Sequence, residues 1–280
     1  MRQSTLSRGD VRDLLFATVD PTQYQYAERL TRTQLITVHI WYAWTERVPD
    51  AAWPGWRRWL RDEELAEAEN YRSCPARAEF LVGRALMRSL LSRQMQVEPC
   101  AVPLGWTSYG KPVWGGPEPD VFFNLAHTRG AAVCAFTRHS SLGIDLERCD
   151  RRVNLDIAAR YFAPEEVAAL RRLEPRMQAR RFLELWTMKE AFIKAVGTGL
   201  AMPLESFACD LDSAQARLIR CRHDCGPPES WHLVRLRLGA EFLGALCLHS
   251  PSSSPVTCLW HEWRERPAEP QVGPVDPQPH

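Results

Sequence analysis

Residues 140 to 149 read SSLGIDLERC and set two carboxylates, Asp145 and Glu147, two residues apart within an apolar run. The run from Leu142 to Leu146 predicts a strand, on which side chains at i and i+2 share a face. Both acids are then aimed at one point, with Leu146 between them turned to the opposite face. Two ionised carboxylates held together repel, so a cation must meet them. Further along, WTMKEAFIK carries Glu190 and Lys194 in an apolar pattern that puts Trp186, Glu190, Ile193 and Lys194 on one helical face. By spacing alone Glu190 and Lys194 form an exposed i,i+4 pair, contributing about 0.3 kcal/mol. If that helix packs on the strand of Asp145 and Glu147, Glu190 becomes a third carboxylate at the same point. Such a cluster is tenable only around a hard divalent cation, and all-oxygen ligation suits magnesium or manganese rather than zinc. Magnesium keeps water ligands and bridges phosphates, which points to a phosphorylated ligand.

The elements that must position these groups are legible in outline. LITVHIWYAW (35 to 44) is β-branched and aromatic and predicts a strand. RDEELAEAENYRS opens as the acidic start of a helix, and residues 76 to 94 have the apolar spacing of a longer, buried one. GWTSYGKPVW has turn chemistry at Gly110 and Pro112; VFFNLAH and AAVCAFT follow as strands joined by a turn at Arg129–Gly130. After the acidic strand the order repeats. A helix is predicted over 161 to 173 with Pro164 in its first turn, and a second long helix ends near Gly197. Strands return at WHLVRLRL and FLGALCLH. A shift of 102 lays Glu63 on Glu165, Phe80–Leu81 on Phe182–Leu183 and Leu91 on Ile193, which favours an internal duplication. The fold class expected is α+β: two similar halves, each a small antiparallel sheet on a long helix, related by a pseudo-twofold. Residues 1–34 form an N-terminal extension, 35–141 and 142–264 the halves, and 265–280 a Pro-rich, disordered tail.

Composition narrows the function classes. The chain has 280 residues, enough for a sizeable core, and a net charge of +1, so no global pull draws it to nucleic acid or anionic membrane. The opening residues lack the apolar core of a signal peptide, and no run of roughly 18 apolar residues occurs, so a cytoplasmic protein without a membrane span is expected. Nine scattered cysteines without CxxC pairs argue against a disulfide framework. CRHDC (Cys221, His223, Cys225) lacks a second ligand pair and reads as a polar loop.

YGKP (109 to 112), FNLAH (123 to 127), GIDLE (143 to 147), FAPEE (162 to 166) and WTMKEAFIKAVGTGL (186 to 200) together, in this order, resemble the surfactin-type 4'-phosphopantetheinyl transferases. The resemblance covers roughly residues 55 to 250. It implies transfer of the phosphopantetheine arm of coenzyme A to a serine of an apo acyl or peptidyl carrier protein, with release of 3',5'-ADP. The target synthases would make polyketides or non-ribosomal peptides. It further implies that Asp145, Glu147 and Glu190 hold magnesium against the pyrophosphate, with Glu190 the candidate base and Lys194 serving the leaving phosphate. His127 would hydrogen-bond the pyrophosphate. Tyr109, Gly110, Lys111 and Pro112 would hold the nucleotide end, and Lys189 would contact phosphate or a nearby acid. Ala126 stands where the family pattern usually has serine, leaving Thr128 as the substitute hydroxyl. Lysines ahead of the first long helix are missing, leaving Arg72 and Arg77 as the nearest basic candidates. A magnesium-dependent phosphoesterase and a non-catalytic coenzyme A or carrier binder are the alternatives. A monomer is expected, because a duplication supplies its own internal interface.

Overall fold

Period-two alternation builds two sheets whose inner faces meet, with one long helix on each outer face. The computed structural model describes residues 35–47, 53–212, 215–250 and 254–264, so the expected N-terminal extension and Pro-rich tail lie outside the described residues. The chain runs β1 (Ile36–Trp44), α1 (Trp53–Arg57), α2 (Asp62–Glu69), α3 (Cys74–Met95), the hairpin β2 (Leu104–Trp106) and β3 (Pro112–Trp114), β4 (Phe122–Thr128) and β5 (Ala131–Thr137). There follow β6 (Leu142–Arg148), α4 (Asp156–Tyr161), α5 (Pro164–Arg171), α6 (Pro175–Val196), β7 (Phe207–Asp210), β8 (Arg217–Cys221), β9 (Trp231–Leu238), β10 (Phe242–His249) and β11 (Val256–Glu262).

The first sheet has the order β11-β1-β5-β4 and the second β6-β10-β9-β8-β7. All pairs are antiparallel except β1 with β11, so the last strand returns to the sheet of the first. Val38, Ile40, Val133 and Ala135 share a buried cluster with Ile144, Leu146, Leu246 and Leu248, which is the seam between the sheets. Ala132, Cys134 and Phe136 point the other way and pack with Val82, Leu86 and Leu90 of α3. Leu243, Ala245 and Cys247 likewise pack with Met188 and Phe192 of α6. The result is an α+β structure of four layers: helix, sheet, sheet, helix. Each fully buried Leu or Phe contributes about 1.5–3 kcal/mol, so these three clusters dominate the stability. Among the described residues no helix is long and apolar enough to cross a membrane.

Residues 62–96 and 164–197 show matching details. Each has a short helix of 8 residues before a long one of 22. Glu64, in the first turn of α2, accepts from the Arg61 N–H at 3.0 Å and from Arg88 Nε of α3 at 2.6 Å. Glu166, in the first turn of α5, accepts from the Ala163 N–H at 2.9 Å, with Lys189 Nζ of α6 on the same oxygen at 2.7 Å. Gln96 and Gly197 close the long helices in the left-handed conformation, with φ of 55° and 88°. Where the sequence predicts one helix over 161 to 173, the chain instead ends α4 at Tyr161 and forms the 8-residue α5 from Pro164 to Arg171. Pro164 divides them, because a proline favours the first turn of a new helix and disfavours the interior of an old one.

Candidate active site

The alternation along β6 settles where its acids point. Leu142, Ile144 and Leu146 enter the seam between the sheets, so Gly143, Asp145 and Glu147 face α6. Gly143 is what lets strand and helix touch. A Cβ at this position would lie 2.1 Å from the Ala191 carbonyl oxygen and 2.5 Å from the Ala195 nitrogen. This approach brings the last turn of α6 to Asp145, whose Oδ1 accepts from Lys194 Nζ at 2.7 Å. The same ammonium donates to the Ile144 carbonyl at 3.2 Å. Asp145 is buried, and its Oδ2 has no hydrogen-bond partner. Glu147 takes a long 3.5 Å contact from the Thr128 hydroxyl and an ion pair from Arg151, whose guanidinium lies over the Trp186 ring.

Burial and mutual charge strain this group. Burial raises the Asp145 carboxyl, against the pull of Lys194, the Leu146 N–H and Arg151. Burial and then the Asp145 charge push Glu147 up to about 7. Glu190 is raised by the same two causes, which puts it within electrostatic reach of Asp145. His127 is lowered to about 4 by burial, then by Lys194 and Arg84, so its ring is neutral near pH 7.

Groups from β4 and from the β2–β3 turn hold β6 along its free edge. Asn124 on β4, itself buried, accepts the Ile144 N–H on its Oδ1 at 2.8 Å. Lys111, in the turn between β2 and β3, donates to the Leu142 carbonyl at 3.0 Å and to the Lys194 carbonyl at 2.6 Å. Its ammonium, lowered to about 8 mainly by burial, thus sits on one carbonyl in the last turn of α6, where a helix favours a cation. Lys111, which the resemblance expects to hold the nucleotide end of coenzyme A together with the backbone of its turn, is therefore engaged with two backbone carbonyls.

Other expected residues fall outside this cluster. Lys189 is fully buried, ion-paired to Glu166 and donating to the Leu204 and Phe207 carbonyls at 2.8 and 2.9 Å. Of the two partners expected for it, phosphate or a nearby acid, it has the acid. One residue of helix turns the chain about 100°, which carries Lys189 into the core while Glu190 stays at the site. Arg77 is exposed and closes the end of α2 through the Ala68 and Tyr71 carbonyls at 3.1 and 3.4 Å; Arg72 is exposed nearby. Tyr109 and Gly110 form the exposed turn of the β2–β3 hairpin, and Pro112 begins β3. Sequence reasoning missed Asn124, Gly143, Arg84 and Arg151. A glycine and an asparagine inside apolar strands were the available signals for the first two.

Asp145, Glu147 and Glu190 share a neighbourhood, yet among the described residues no three His, Cys, Asp or Glu side chains are gathered into a metal-holding group. Lys194 and Arg151 engage Asp145 and Glu147 instead. The donor chemistry nevertheless fits a hard divalent cation: the oxygens belong to carboxylates, one of them is a buried orphan, and all three acids are raised by burial and repulsion that such a cation relieves.

Comparison with known proteins bears on this arrangement. The family model of the 4'-phosphopantetheinyl transferase superfamily matches residues 141–247, a stretch that runs from just before β6 through most of β10. The 4'-phosphopantetheinyl transferase HetI of Nostoc sp. is 35% identical over 167 residues, covering 59% of this chain and 70% of that protein. Sfp of Bacillus subtilis, also named a 4'-phosphopantetheinyl transferase, is 39% identical over 132 residues, 47% of this chain and 57% of its own length. The 4'-phosphopantetheinyl transferase gsp of Aneurinibacillus migulanus is 34% identical over 134 residues, 47% of this chain and 56% of its own.

Proposed function

Since this chain belongs to the 4'-phosphopantetheinyl transferase superfamily, we propose that it moves the phosphopantetheine arm of coenzyme A onto a serine hydroxyl of an apo acyl or peptidyl carrier protein. The serine oxygen bonds to the β-phosphorus of coenzyme A as the bridging P–O bond breaks, and 3',5'-ADP leaves. The observation that supports this most is the meeting of Asp145, Lys194 and the raised Glu190 where β6 touches α6.

Asp145, Glu147 and Glu190 are the residues that would hold magnesium, or manganese in its place. When bound, the ion neutralises charge on the attacked phosphate and the departing nucleotide. Glu190, with its proton affinity raised, accepts the serine proton more readily near neutral pH than an ordinary carboxylate does. Lys194 holds Asp145 and presents an ammonium at the site, where it stabilises the leaving phosphate. His127, kept neutral by burial and by the charges of Lys194 and Arg84, offers a ring N–H to the pyrophosphate without adding charge. Thr128 supplies a hydroxyl beside Glu147. The hairpin turn of Tyr109, Gly110 and Lys111, with Pro112 at the start of β3, offers backbone and an exposed ring to the nucleotide end.

The two halves, 35–141 and 142–264, read as an internal duplication. Their paired long helices and the repeated Glu–cation ties support this, with β11 exchanged into the first sheet. A monomer serving polyketide or non-ribosomal peptide carriers in the cytoplasm completes the reading. The test is the mass of several apo carrier proteins incubated with enzyme, coenzyme A and magnesium. Gain of one phosphopantetheine with stoichiometric 3',5'-ADP supports it. Coenzyme A hydrolysis at the same rate without any carrier would make the protein a phosphoesterase instead.

A further inference from the structure

Glu147 has a partner that the reaction does not require. Arg151 lies four residues on, in the loop after β6, and its guanidinium pairs with Glu147 Oε1 while resting over the Trp186 ring at 5.6 Å. The Arg151 side chain is 41% exposed and that of Glu147 12%, so the arginine reaches inward from the rim to a carboxylate that is mostly covered. Lys194 is held differently. From the last turn of a packed helix it is tied to both Asp145 and the Ile144 carbonyl of β6, and its side chain is 26% exposed. Arg151 has solvent on one side and a long side chain to swing away.

A guanidinium and a divalent cation compete for the same oxygen lone pairs, and two cations cannot share one carboxylate oxygen at contact distance without strong repulsion. We propose that Arg151 is the built-in counter-ion of Glu147, which a divalent cation must displace, so that this arginine sets the affinity of the Asp145–Glu147 pair for metal. The inference rests on the reading of that pair as metal-holding. It adds a residue outside the acidic set and predicts a gain of affinity from its removal. A residue that merely supported the loop would not give that result.

Direct titration of manganese tests this, with free ion counted by electron paramagnetic resonance at fixed ionic strength and no coenzyme A or carrier present. Thermal melts confirm that each variant is folded. Arg151→Ala should bind manganese about fivefold more tightly than the unaltered protein, the size of a part-exposed ion pair. Arg151→Lys, which keeps a cation, should fall between the two. Arg152→Ala removes an exposed arginine with no ion pair among the described residues and controls for the loss of one positive charge; it should shift affinity less than twofold. Equal or weaker binding by Arg151→Ala overturns the proposal, as does equal tightening by Arg152→Ala. Failure of every protein, the unaltered one included, to bind millimolar manganese overturns the metal-site reading itself and this inference with it.

Discussion

Gly143→Ala is the substitution that should separate the acid strand from its helix. The added methyl would start 2.1 Å from the Ala191 carbonyl oxygen, 2.5 Å from the Ala195 nitrogen and 2.9 Å from Lys194 Cβ. A carbon–oxygen contact settles near 3.3 Å, so strand and helix must part by about 1.2 Å. Two of the three obstacles are helix backbone, which no rotamer change can move. If the gap opens along the line to Lys194, its 2.7 Å bond to Asp145 lengthens to about 4 Å and ceases to be a hydrogen bond. Overpacking of this kind costs about 1–3 kcal/mol, and loss of a charged hydrogen bond about 1.5–3 more. The expected total of about 2.5–6 kcal/mol is a large share of the stability of an ordinary domain. Urea unfolding should show a lower midpoint at unchanged slope, and carrier modification should fall at least tenfold in conditions where the variant remains folded. A variant with the midpoint and transfer rate of the unaltered protein would refute the argument that strand–helix contact at Gly143 builds the site.

Three further outcomes follow from the same geometry. Lys189→Met leaves Glu166 buried without its cation and should cost about 3–5 kcal/mol by urea unfolding, partly recovered in Lys189→Met/Glu166→Gln; an unchanged midpoint in the single variant would contradict the buried pair. Asn124→Leu strands the buried Ile144 N–H and should cost about 1–3 kcal/mol, whereas Asn124→Asp, which keeps the acceptor, should cost less; equal losses would discount the bond. His39, 3.1 Å from His261, is lowered from 6.5 to about 4 by burial and by its neighbour, so the folded ring stays neutral where the unfolded ring takes up a proton. Its contribution is whole above pH 6.5 and lost as the pH falls towards 4, so His39→Gln should flatten the melting profile across that window, and an unaltered pH slope would count against the pair.

What the sequence revealed depended on length and periodicity. The long apolar stretches at 231–238 and 242–249 became β9 and β10 with those bounds, and the alternation at 142–148 placed Asp145 and Glu147 on one face. FACD, the four residues of β7, is too short to show a period, and β11 forms only because the folded first sheet offers β1 as a partner. Lys189 could have been read better. It sits four residues after Leu185 and three before Phe192, on the buried stripe of α6, where a lysine implies an internal acid. Arg88 and Glu64 are the same case in α3 and α2, a pair that local spacing cannot announce because its partners lie on different helices. Lys111 could not have been read. A lysine in a turn carries no sign of which carbonyls it will find, and Leu142 and Lys194 come to it only through tertiary packing.

The central claim is that carboxylates meeting at the contact of β6 and α6 drive transfer to a carrier serine. Its most direct test is the intact mass of one apo carrier protein after incubation with coenzyme A, magnesium and either the unaltered enzyme, Asp145→Asn or Glu190→Gln. The unaltered enzyme should add one phosphopantetheine arm, and both variants, folded by thermal melt, should add none over the same time. Full modification by either variant at the unaltered rate would contradict the account.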